Sequence, residues 1–493
     1  MASEPPTATK PVKFKTLSFG FASADFEASQ EPDLLLRGFV DPMGLVDEAR
    51  TGRKFLFLGY KGSGKSALGE HLRLVSQGSP HLFVQFVNIA DVSFSTFSQI
   101  MKGNIEPEAR YPMVWSWLLL LFLFDSFCSD EGSDCLHDPD FVESIAALKE
   151  LGLLPNPNLS EAVTATSDKS FSLKLSTIVG SIEATFKTAK RREDLPFFID
   201  RLKLIARRFT STNRHLLIID GFDELLRRGT LQYDALGGLV FESNRLNMEL
   251  TSAKTSAKVI LLCRTDLFER LPSPNKNKIR QNAAVHIDWY CDPRNAASSH
   301  LVKLINHRAS LATGSPIDVF ATFLPPSLDI YSKVSNIREQ LLENTRHTPR
   351  DMIMLFKHLQ DYSGENQPMT RHQVMNALTA YSRDYLQPEI IDELNGYLDV
   401  EHVRMAIQLL GSLRKRSPTV PELENQARRL RLPEAFDLQR VLSALFDCSA
   451  IGNVDPASAG YPIFKYRSRY TSYNPDRQVF VHRGLWKALN LAW

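Results

Sequence analysis

The sequence is poor in cysteine and has almost no net charge. Five of its 493 residues are cysteines, and none forms a C-x-x-C pair: Cys128, Cys135, Cys263, Cys291 and Cys448. This scatter argues against a zinc site or a disulfide framework and favours a reducing compartment. With 58 basic and 56 acidic residues the net charge is +2, so any contact with nucleic acid must come from one region of the chain.

Long apolar runs are scarce as well. The run from Met113 to Phe124 is the longest candidate, and it is well short of the roughly 20 residues that a membrane-spanning helix needs. We predict a buried core helix there and no integral membrane segment, with a peripheral membrane contact as the alternative. The stretch from Met1 to Pro11 is polar and proline-rich, so we expect no signal peptide and a cytoplasmic location.

A glycine-rich pattern, G-x-x-x-x-G-K-S, follows an apolar stretch and precedes a helical one. In strand–loop–helix context this pattern is typical of a phosphate-binding loop, whose backbone N–H groups surround the phosphates. Lys65 would reach the β- and γ-phosphates, and the Ser66 hydroxyl would ligate Mg²⁺. The predicted ATP-binding residues are Gly59, Tyr60, Lys61, Gly62, Ser63, Gly64, Lys65, Ser66 and Ala67. Guanine is disfavoured, because Asn275-Lys276 and Asn277-Lys278 lack an aspartate two residues later.

A second apolar strand, His215 to Asp220, ends in a carboxylate. Ligands of open α/β sheets lie at the carboxyl ends of the strands, so we predict that Asp220 holds Mg²⁺ directly or through water. Asp223 and Glu224 follow on the next turn, and either could orient or deprotonate the attacking water. The alternative is that these two acids only cap a helix.

A third apolar strand, Lys258 to Arg264, ends in polar residues. We predict that Arg264 contacts the γ-phosphate, since a guanidinium matches phosphate oxygens and keeps its charge; the alternative is an ion pair with Asp266. Further strands are predicted at 82–89 and 284–289 by apolar density and β-branching. These patterns predict an α/β P-loop NTPase core.

From about residue 294 the pattern becomes helical. Thr348 is a suitable helix N-cap, with Pro349 at the first helical position and the apolar residues 352, 355, 356 and 359 on one face. We expect a lid whose Pro349 packs on the base and whose Arg350 lies near the phosphates. A purely structural helix start is the alternative.

The C-terminal part reads as three helices followed by strands, which is the order of a winged-helix domain. We predict a strand from Ile463 to Tyr470, whose alternation would put Lys465, Arg467 and Arg469 on one face, suitable for DNA phosphates. An intramolecular or oligomer contact is the equal alternative. The basic residues of this part are Arg414, Lys415, Arg416, Arg428, Arg429, Arg431, Arg440, Lys465, Arg467 and Arg469.

The strand-end motifs resemble those of bacterial STAND-type P-loop ATPases, a NACHT-like class related to the AAA+ proteins. Ile218-Ile219-Asp220-Gly221-Phe222-Asp223-Glu224 is similar to the hhhhDGhDE form of that class, Arg264 to its sensor arginine, and Thr348-Pro349-Arg350 to its lid motif. Gly221 stands where initiator AAA+ proteins have a glutamate. The resemblance implies Mg-dependent and slow ATP hydrolysis, a homo-oligomer or a partner protein, and a switch that acts in antiviral defence.

Two other functions remain open: a DNA-binding ATPase of initiator or transposition type, and an adaptor that binds nucleotide without turnover. The expected organisation is a disordered tail at 1–16, a P-loop domain at 17–292 with an insertion at 128–195, a helical lid at 293–398 and a winged-helix domain at 399–493.

Overall fold

The computed structural model describes residues 12–90, 92–98, 100, 107–186, 194–222, 230–272, 275–330, 333–365, 368–454 and 461–491. The chain divides into two compact units. The sheet unit comprises Asp41–Tyr60 and Lys65–Ile287, and the helical unit comprises Met1–Val40, Lys61–Gly64 and Asp288–Trp493. The phosphate loop is therefore divided, since its residues 61–64 group with the helical unit.

The strands are numbered in chain order: β1 (Leu56–Gly59), β2 (Leu82–Asn88), β3 (Arg214–Asp220), β4 (Ala257–Arg264), β5 (Ala284–Ile287), β6 (Ser327–Ile330), β7 (Lys333–Asn336), β8 (Ile451–Val454), β9 (Pro462–Ile463) and β10 (Gln478–Val481).

The α-helices, numbered the same way, are α1 (Ala24–Gln30), α2 (Pro32–Arg37), α3 (Leu45–Arg50), α4 (Lys65–Gln77), α5 (Phe94–Phe97), α6 (Pro107–Cys128), α7 (Pro139–Glu150), α8 (Leu159–Ser167), α9 (Lys169–Phe186), α10 (Asp194–Arg208), α11 (Thr230–Ser252), α12 (Thr265–Arg270), α13 (Lys276–Ala283), α14 (His300–Thr313), α15 (Val319–Phe323), α16 (Ile337–Glu343), α17 (Pro349–Tyr362), α18 (Arg371–Ala380), α19 (Gln387–Leu394), α20 (Val400–Gly411), α21 (Val420–Arg429) and α22 (Leu438–Asp447).

Five parallel strands form the centre of the sheet unit, in the order β2-β3-β4-β1-β5. The five strands predicted for the P-loop core are therefore confirmed. Strand β4 is buried along its whole length, as expected for a parallel strand covered on both faces. In the register, Gly59 lies opposite Arg264 and Asn88 opposite Asp220. The ends of these four strands meet at one edge of the sheet, where an α/β sheet binds its ligand.

Helix α6 contains the apolar run and is longer than predicted. It is the one described helix that is long and apolar enough to cross a membrane, and 83% of its apolar window is buried inside the protein. The Trp115 indole donates to the Ala235 carbonyl of α11 at 2.7 Å, and Trp117 and Phe124 are also buried. These contacts are those of a core helix.

The predicted insertion folds onto that helix. Phe171 of α9 packs on Trp117 with ring centroids 6.0 Å apart, and Phe141 of α7 stacks on Phe124 at 5.6 Å. The described part of 128–195 thus contains the helices α7 to α9, and its apolar side chains belong to the core of the sheet unit.

The N-terminal residues behave differently from the prediction. We expected a disordered tail at 1–16; residues 1–11 lie outside the described part, but Phe14 is buried and stacks on Phe323 at 5.1 Å. Further along, Glu27 forms a buried ion pair with Arg308 of α14 at 2.7 Å. The segment before residue 41 therefore belongs to the core of the helical unit.

The C-terminal part contains the three predicted helices, α20 to α22, and an antiparallel sheet in the order β10-β8-β9. Residues 416 and 418 add to its edge, because the amides of Val481 and Val479 donate to their carbonyls at 2.8 and 3.0 Å. The predicted strand at 463–470 is wrong, however. Strand β9 ends at Ile463 and turns follow, so the alternation expected for Lys465, Arg467 and Arg469 does not exist.

Candidate functional site

The phosphate loop lies between β1 and α4, as the pattern predicts. Gly62 and Gly64 have φ angles of +81° and +92°, a region that side chains other than glycine's rarely allow. The Lys65 side chain is buried, and its ammonium donates to the carbonyl oxygens of Gly59 and Tyr60 at 3.4 and 3.2 Å. The loop is thus curled around its own lysine, the arrangement that a phosphate-binding loop requires.

Two serine hydroxyls of the loop are available to a ligand. The Ser63 hydroxyl is buried and has no hydrogen-bond partner among the described residues, although a buried polar atom normally has one. Ser66 is exposed on the first turn of α4. A bound phosphate with its metal ion would provide the missing partner of the first and use the second as a ligand.

Trp289 contacts the phosphate loop, and the sequence analysis did not identify it. Its indole N–H donates to the Ser63 carbonyl at 2.9 Å, and the ring is buried. The available signal was its position, two residues after β5 at the carboxyl edge of the predicted sheet. We expect this bond to fix the path of the loop.

Asp220 ends β3 as predicted, and the turn after it requires a glycine at position 221. The Asp220 carboxylate accepts the Gly221 amide at 2.8 Å. Gly221 has a φ of +90°, and a Cβ there would lie 1.8 Å from Asn88 Oδ1 and 2.9 Å from the Ala90 amide. A glutamate in this position would therefore not fit the turn, which explains the departure from the initiator pattern.

The residues suit Mg²⁺ held together with a nucleotide better than a permanent metal site. The described residues contain no group of three His, Cys, Asp or Glu side chains able to hold a metal ion. Mg²⁺ in nucleotide sites commonly takes only one or two protein oxygens, with phosphates and water completing its shell. Asp220 and Ser66 offer oxygens of this kind. Asp223 and Glu224, the predicted general-base candidates, lie outside the described residues.

Arg264 ends β4 beside Gly59 but is held by a carboxylate. Its guanidinium makes a two-point contact with Asp266, at 2.9 and 2.8 Å, and the residue is 3% exposed. This is the ion-pair alternative stated above. A contact with a γ-phosphate would require the guanidinium to turn away from Asp266.

Helix α17 begins where the sequence predicts. The Thr348 hydroxyl accepts the Asp351 amide at 3.1 Å, Pro349 is buried at the first helical position, and residues 352, 355, 356 and 359 are buried. The helix start faces the phosphate loop: the Arg350 amide lies 3.4 Å from the Gly62 carbonyl oxygen. A Cβ on Gly62 would lie 3.1 Å from the Thr348 hydroxyl, so glycine is also needed there for close approach.

A buried ionic network holds this helix start in place. The Arg346 guanidinium contacts Asp351 at 3.0 Å and Glu393 at 2.9 Å, and the Tyr385 hydroxyl donates to Asp351 at 2.8 Å. Burial alone would raise the pKa of Asp351, but the Arg346 charge and its hydrogen bonds lower it to about 2. Tyr385 lies in a π-helical turn, Tyr381–Leu386, of a kind frequent near functional sites.

Glu389 forms ion pairs with one residue of the phosphate loop and one residue of helix α17. The sequence analysis did not identify it. Its carboxylate lies 3.0 Å from the Lys61 ammonium and 3.1 Å from the Arg350 guanidinium. Burial alone would raise the pKa of Glu389, but the cations of Lys61, Arg346 and Arg350 lower it below its usual value. No local pattern marks a helix glutamate for this role.

The basic residues proposed for DNA are largely engaged within the helical unit. Lys465 donates to the Thr471 carbonyl at 2.9 Å, Arg469 is paired with Asp288, and Lys415 is paired with Glu422. Arg416 lies over the Trp486 ring at 4.5 Å. Arg414 is exposed.

A scan against protein-family models gave no match, and neither did a search of curated proteins. Among solved structures, the chain is similar to Cdc6p from Pyrobaculum aerophilum. The match covers 94% of each chain at 8% sequence identity, with a TM-score of 0.23. A likeness of this size does not by itself establish a shared fold.

Proposed function

We propose that the protein is a Mg²⁺-dependent ATPase of the AAA+-related type that works as a nucleotide-controlled switch. One observation carries the proposal: a loop with two left-handed glycines curls around the buried Lys65 at the same sheet edge where Asp220 ends a buried strand. A lysine in the loop and an aspartate at the neighbouring strand end are the two parts that hold phosphates and their metal ion.

The residues of the site have separate tasks in this mechanism. The loop amides and Lys65 would bind the phosphates, and Ser66 and Asp220 would hold Mg²⁺, which would neutralise phosphate charge. Asp223 or Glu224 orients the attacking water. The first turn of helix α17 contacts the loop at Gly62, so we expect the position of this helix to depend on whether nucleotide is bound.

Loss of ATP binding in Lys65→Ala is the first test. Lys174→Ala is the matched control, since Lys174 is an exposed lysine of α9 in the same unit. We expect no saturable ATP binding by calorimetry for Lys65→Ala and wild-type binding for the control. Equal binding by both variants would disprove the proposal.

A measurement of ATP hydrolysis distinguishes a switch from an adaptor that only binds nucleotide. We expect slow phosphate release by the wild type, and its loss in either Glu224→Gln or Asp223→Asn, which identifies the general base. Normal ATP affinity without phosphate release, with DNA and partner proteins present, would favour the adaptor. A role in antiviral defence rests on the family resemblance alone. It predicts that the wild type protects cells against phage and that Lys65→Ala does not; a lack of protection by the wild type would contradict the role.

If the protein is a switch, its oligomeric state should differ between nucleotide states. The arrangement of α17 on the loop supports this, because an order change at the loop would be passed to the helix. Light scattering measures the mass of the wild type without nucleotide and with ADP, and the mass of Glu224→Gln with ATP. One mass in all three states would contradict assembly control.

DNA binding by a winged helix is the second candidate, supported by the order of α20 to α22 and the three-stranded sheet. Arg429 and Arg440 are exposed on α21 and α22 and form no ion pair with a described carboxylate. Arg429→Glu with Arg440→Glu should therefore abolish salt-dependent binding to duplex DNA. Unchanged binding would reject this surface, and Gln439→Ala on the same helix is the control.

A further inference from the structure

Three consecutive residues after β5 join the phosphate loop to the C-terminal part of the helical unit. They are Asp288, Trp289 and Tyr290, which we call the linking segment. Trp289 contacts the phosphate loop, because its indole donates to the Ser63 carbonyl at 2.9 Å. Its two neighbours contact side chains from residues 466–469, which follow β9. One short segment therefore contacts both the loop and the C-terminal part.

The bond from Trp289 fixes the direction of a loop amide. A peptide unit is planar and trans, so the Ser63 carbonyl and the Gly64 N–H point in opposite directions. The indole holds the carbonyl, and the Gly64 N–H therefore points away from Trp289. Gly62 and Gly64 lie on either side of Ser63, and glycine backbones adopt many conformations. The indole thus selects one orientation of a peptide whose N–H a phosphate-binding loop turns toward its ligand.

The C-terminal part holds the linking segment through a ring and a charge. Tyr466 packs on Tyr290 with ring centroids 6.1 Å apart and planes 38° apart. The Arg469 guanidinium forms an ion pair with the Asp288 carboxylate, and its side chain is 20% exposed. Single aromatic pairs and partly exposed ion pairs contribute little to the stability of a whole protein. Their loss should therefore shift the segment without unfolding the chain.

The same tyrosine contacts the residue that precedes the cap of helix α17. Tyr466 stacks on His347 with ring centroids 5.1 Å apart and planes 26° apart. Three residues after His347, the Arg350 amide lies 3.4 Å from the Gly62 carbonyl oxygen. The carbonyls of Gly62 and Ser63 are thus both contacted by residues close in sequence to a ring that packs on Tyr466.

We propose that Tyr466 and Arg469 are positioning residues of the nucleotide site, which set the affinity of the phosphate loop from the C-terminal part. This inference rests on the proposed function, since it concerns the same site. Arg469 acts through the carboxylate of Asp288. Tyr466 acts through the rings of Tyr290 and His347. A ligand that moves the C-terminal part then changes the affinity for ATP, and ATP changes the affinity for that ligand by the same factor.

The ATP affinity of full-length variants tests the inference. Arg469→Ala should weaken ATP binding about 3-fold, a typical effect for a partly exposed ion pair. Tyr466→Leu should weaken it about 5-fold because an aromatic contact is lost, and Tyr466→Phe should retain most of the affinity because the ring is kept. Calorimetry measures the affinities, and thermal melting shows whether each variant folds.

Two changes of the same kind serve as controls. Tyr473→Leu alters a C-terminal tyrosine that packs on Phe446, and Arg428→Ala alters an exposed arginine of α21. Both should bind ATP as the wild type does, even if Tyr473→Leu lowers the melting temperature. A loss of affinity that follows the melting temperature in every variant would overturn the inference, since general destabilisation would then explain it.

A combination of two variants tests the route through Trp289. Trp289→Phe lacks the bond to the loop, so in that background Arg469→Ala should weaken ATP binding by less than about 1.5-fold further. An equal loss in both backgrounds would show that Arg469 acts by another route and would overturn the inference.

The binding of ATP by the wild type separates this inference from the proposed function. If the wild type binds ATP and Lys65→Ala does not, the phosphate site stands. Wild-type affinity in both Arg469→Ala and Tyr466→Leu then overturns this inference alone, whereas a wild type that binds no ATP overturns both. Should Tyr466→Leu not fold, Arg469→Ala decides, because it changes a partly exposed side chain.

Discussion

The Lys61 ammonium of the phosphate loop lies 3.0 Å from the Glu389 carboxylate of α19. The same carboxylate contacts Arg350, the lid residue predicted to lie near the phosphates. Two cations suited to a nucleotide are therefore held by one half-buried anion. A bound phosphate must compete with Glu389 for both.

Removing this anion should strengthen ATP binding. In Glu389→Gln the two cations lose their counter-charge, and we expect ATP affinity to rise by roughly 3- to 10-fold, a typical size for one competing charge contact. The nucleotide-free protein should melt at a lower temperature, since Lys61 and Arg350 then repel each other. Asp392→Asn is the control, because Asp392 is largely exposed and 3.9 Å from Lys61. Unchanged or weaker ATP binding by Glu389→Gln would show that the carboxylate does not compete with phosphate.

The turn after β3 should not tolerate a side chain. Gly221→Ala would place a Cβ 1.8 Å from Asn88 Oδ1 at a φ of +90°, so we expect a loss of roughly 2 kcal/mol in the free energy of unfolding. Chemical denaturation followed by fluorescence measures it. Gly180→Ala in α9 is the control, because no atom lies within 4 Å of its added Cβ and alanine favours a helix. Equal stability of the two variants would contradict the strain at Gly221.

The bond from Trp289 to the loop should affect nucleotide binding more than folding. Trp289→Phe keeps most of the ring but removes the donor to the Ser63 carbonyl, so we expect ATP affinity to fall by roughly 3- to 10-fold. Trp486→Phe is a matched change, since that indole donates to the Val481 carbonyl at 2.8 Å in the C-terminal sheet. The control should lower the melting temperature without changing ATP affinity. If both variants bind ATP as the wild type does, Trp289 does not position the loop.

Acidification should destabilise the helical unit before its carboxylates titrate. Burial lowers the pKa of His482 to about 3 and that of His347 to about 4, whereas an unfolded histidine titrates near 6.5. Between pH 6.5 and pH 4 the unfolded chain binds protons that the folded chain does not, so stability falls as the pH falls. Each histidine contributes a slope of up to about 1.4 kcal/mol per pH unit.

Unfolding free energies measured between pH 7 and pH 5 test this slope. His482→Gln should make the slope smaller, since glutamine does not titrate. His402→Gln is the control: His402 is a half-buried helix residue whose ion pair with Asp399 raises its pKa, so its loss should not make the slope smaller. A wild-type stability independent of pH in this range would contradict the buried neutral imidazoles.

Local chemistry made the strands and the phosphate loop predictable. The strands around Phe57, Ile218 and Leu261 are continuous apolar runs, which a buried parallel strand requires. Gly62 and Gly64 occupy the left-handed region that only glycine adopts easily, and Thr348 caps a helix through a bond to a residue three positions away. Each signal lies within a few residues of the structure that it specifies.

The failure at Lys465, Arg467 and Arg469 shows the limit of that reasoning. Their alternation is typical of a strand, but the chain turns after Ile463, where Lys465 bonds a carbonyl and Arg469 meets the distant Asp288. Tertiary contacts therefore override a short alternating pattern, whose intrinsic preference is weak.

The sequence by itself determined a glycine-rich loop between a strand and a helix, an aspartate-ended strand and a capped helix, because periodicity, glycine φ angles and capping act over a few residues. Only the tertiary structure decided the strand order that brings Asp220 and Arg264 to one edge, the hold of Glu389 on Lys61 and Arg350, and the bond from Trp289 to Ser63. These contacts join residues separated by tens to hundreds of positions, and they form because the packing of whole elements places them together.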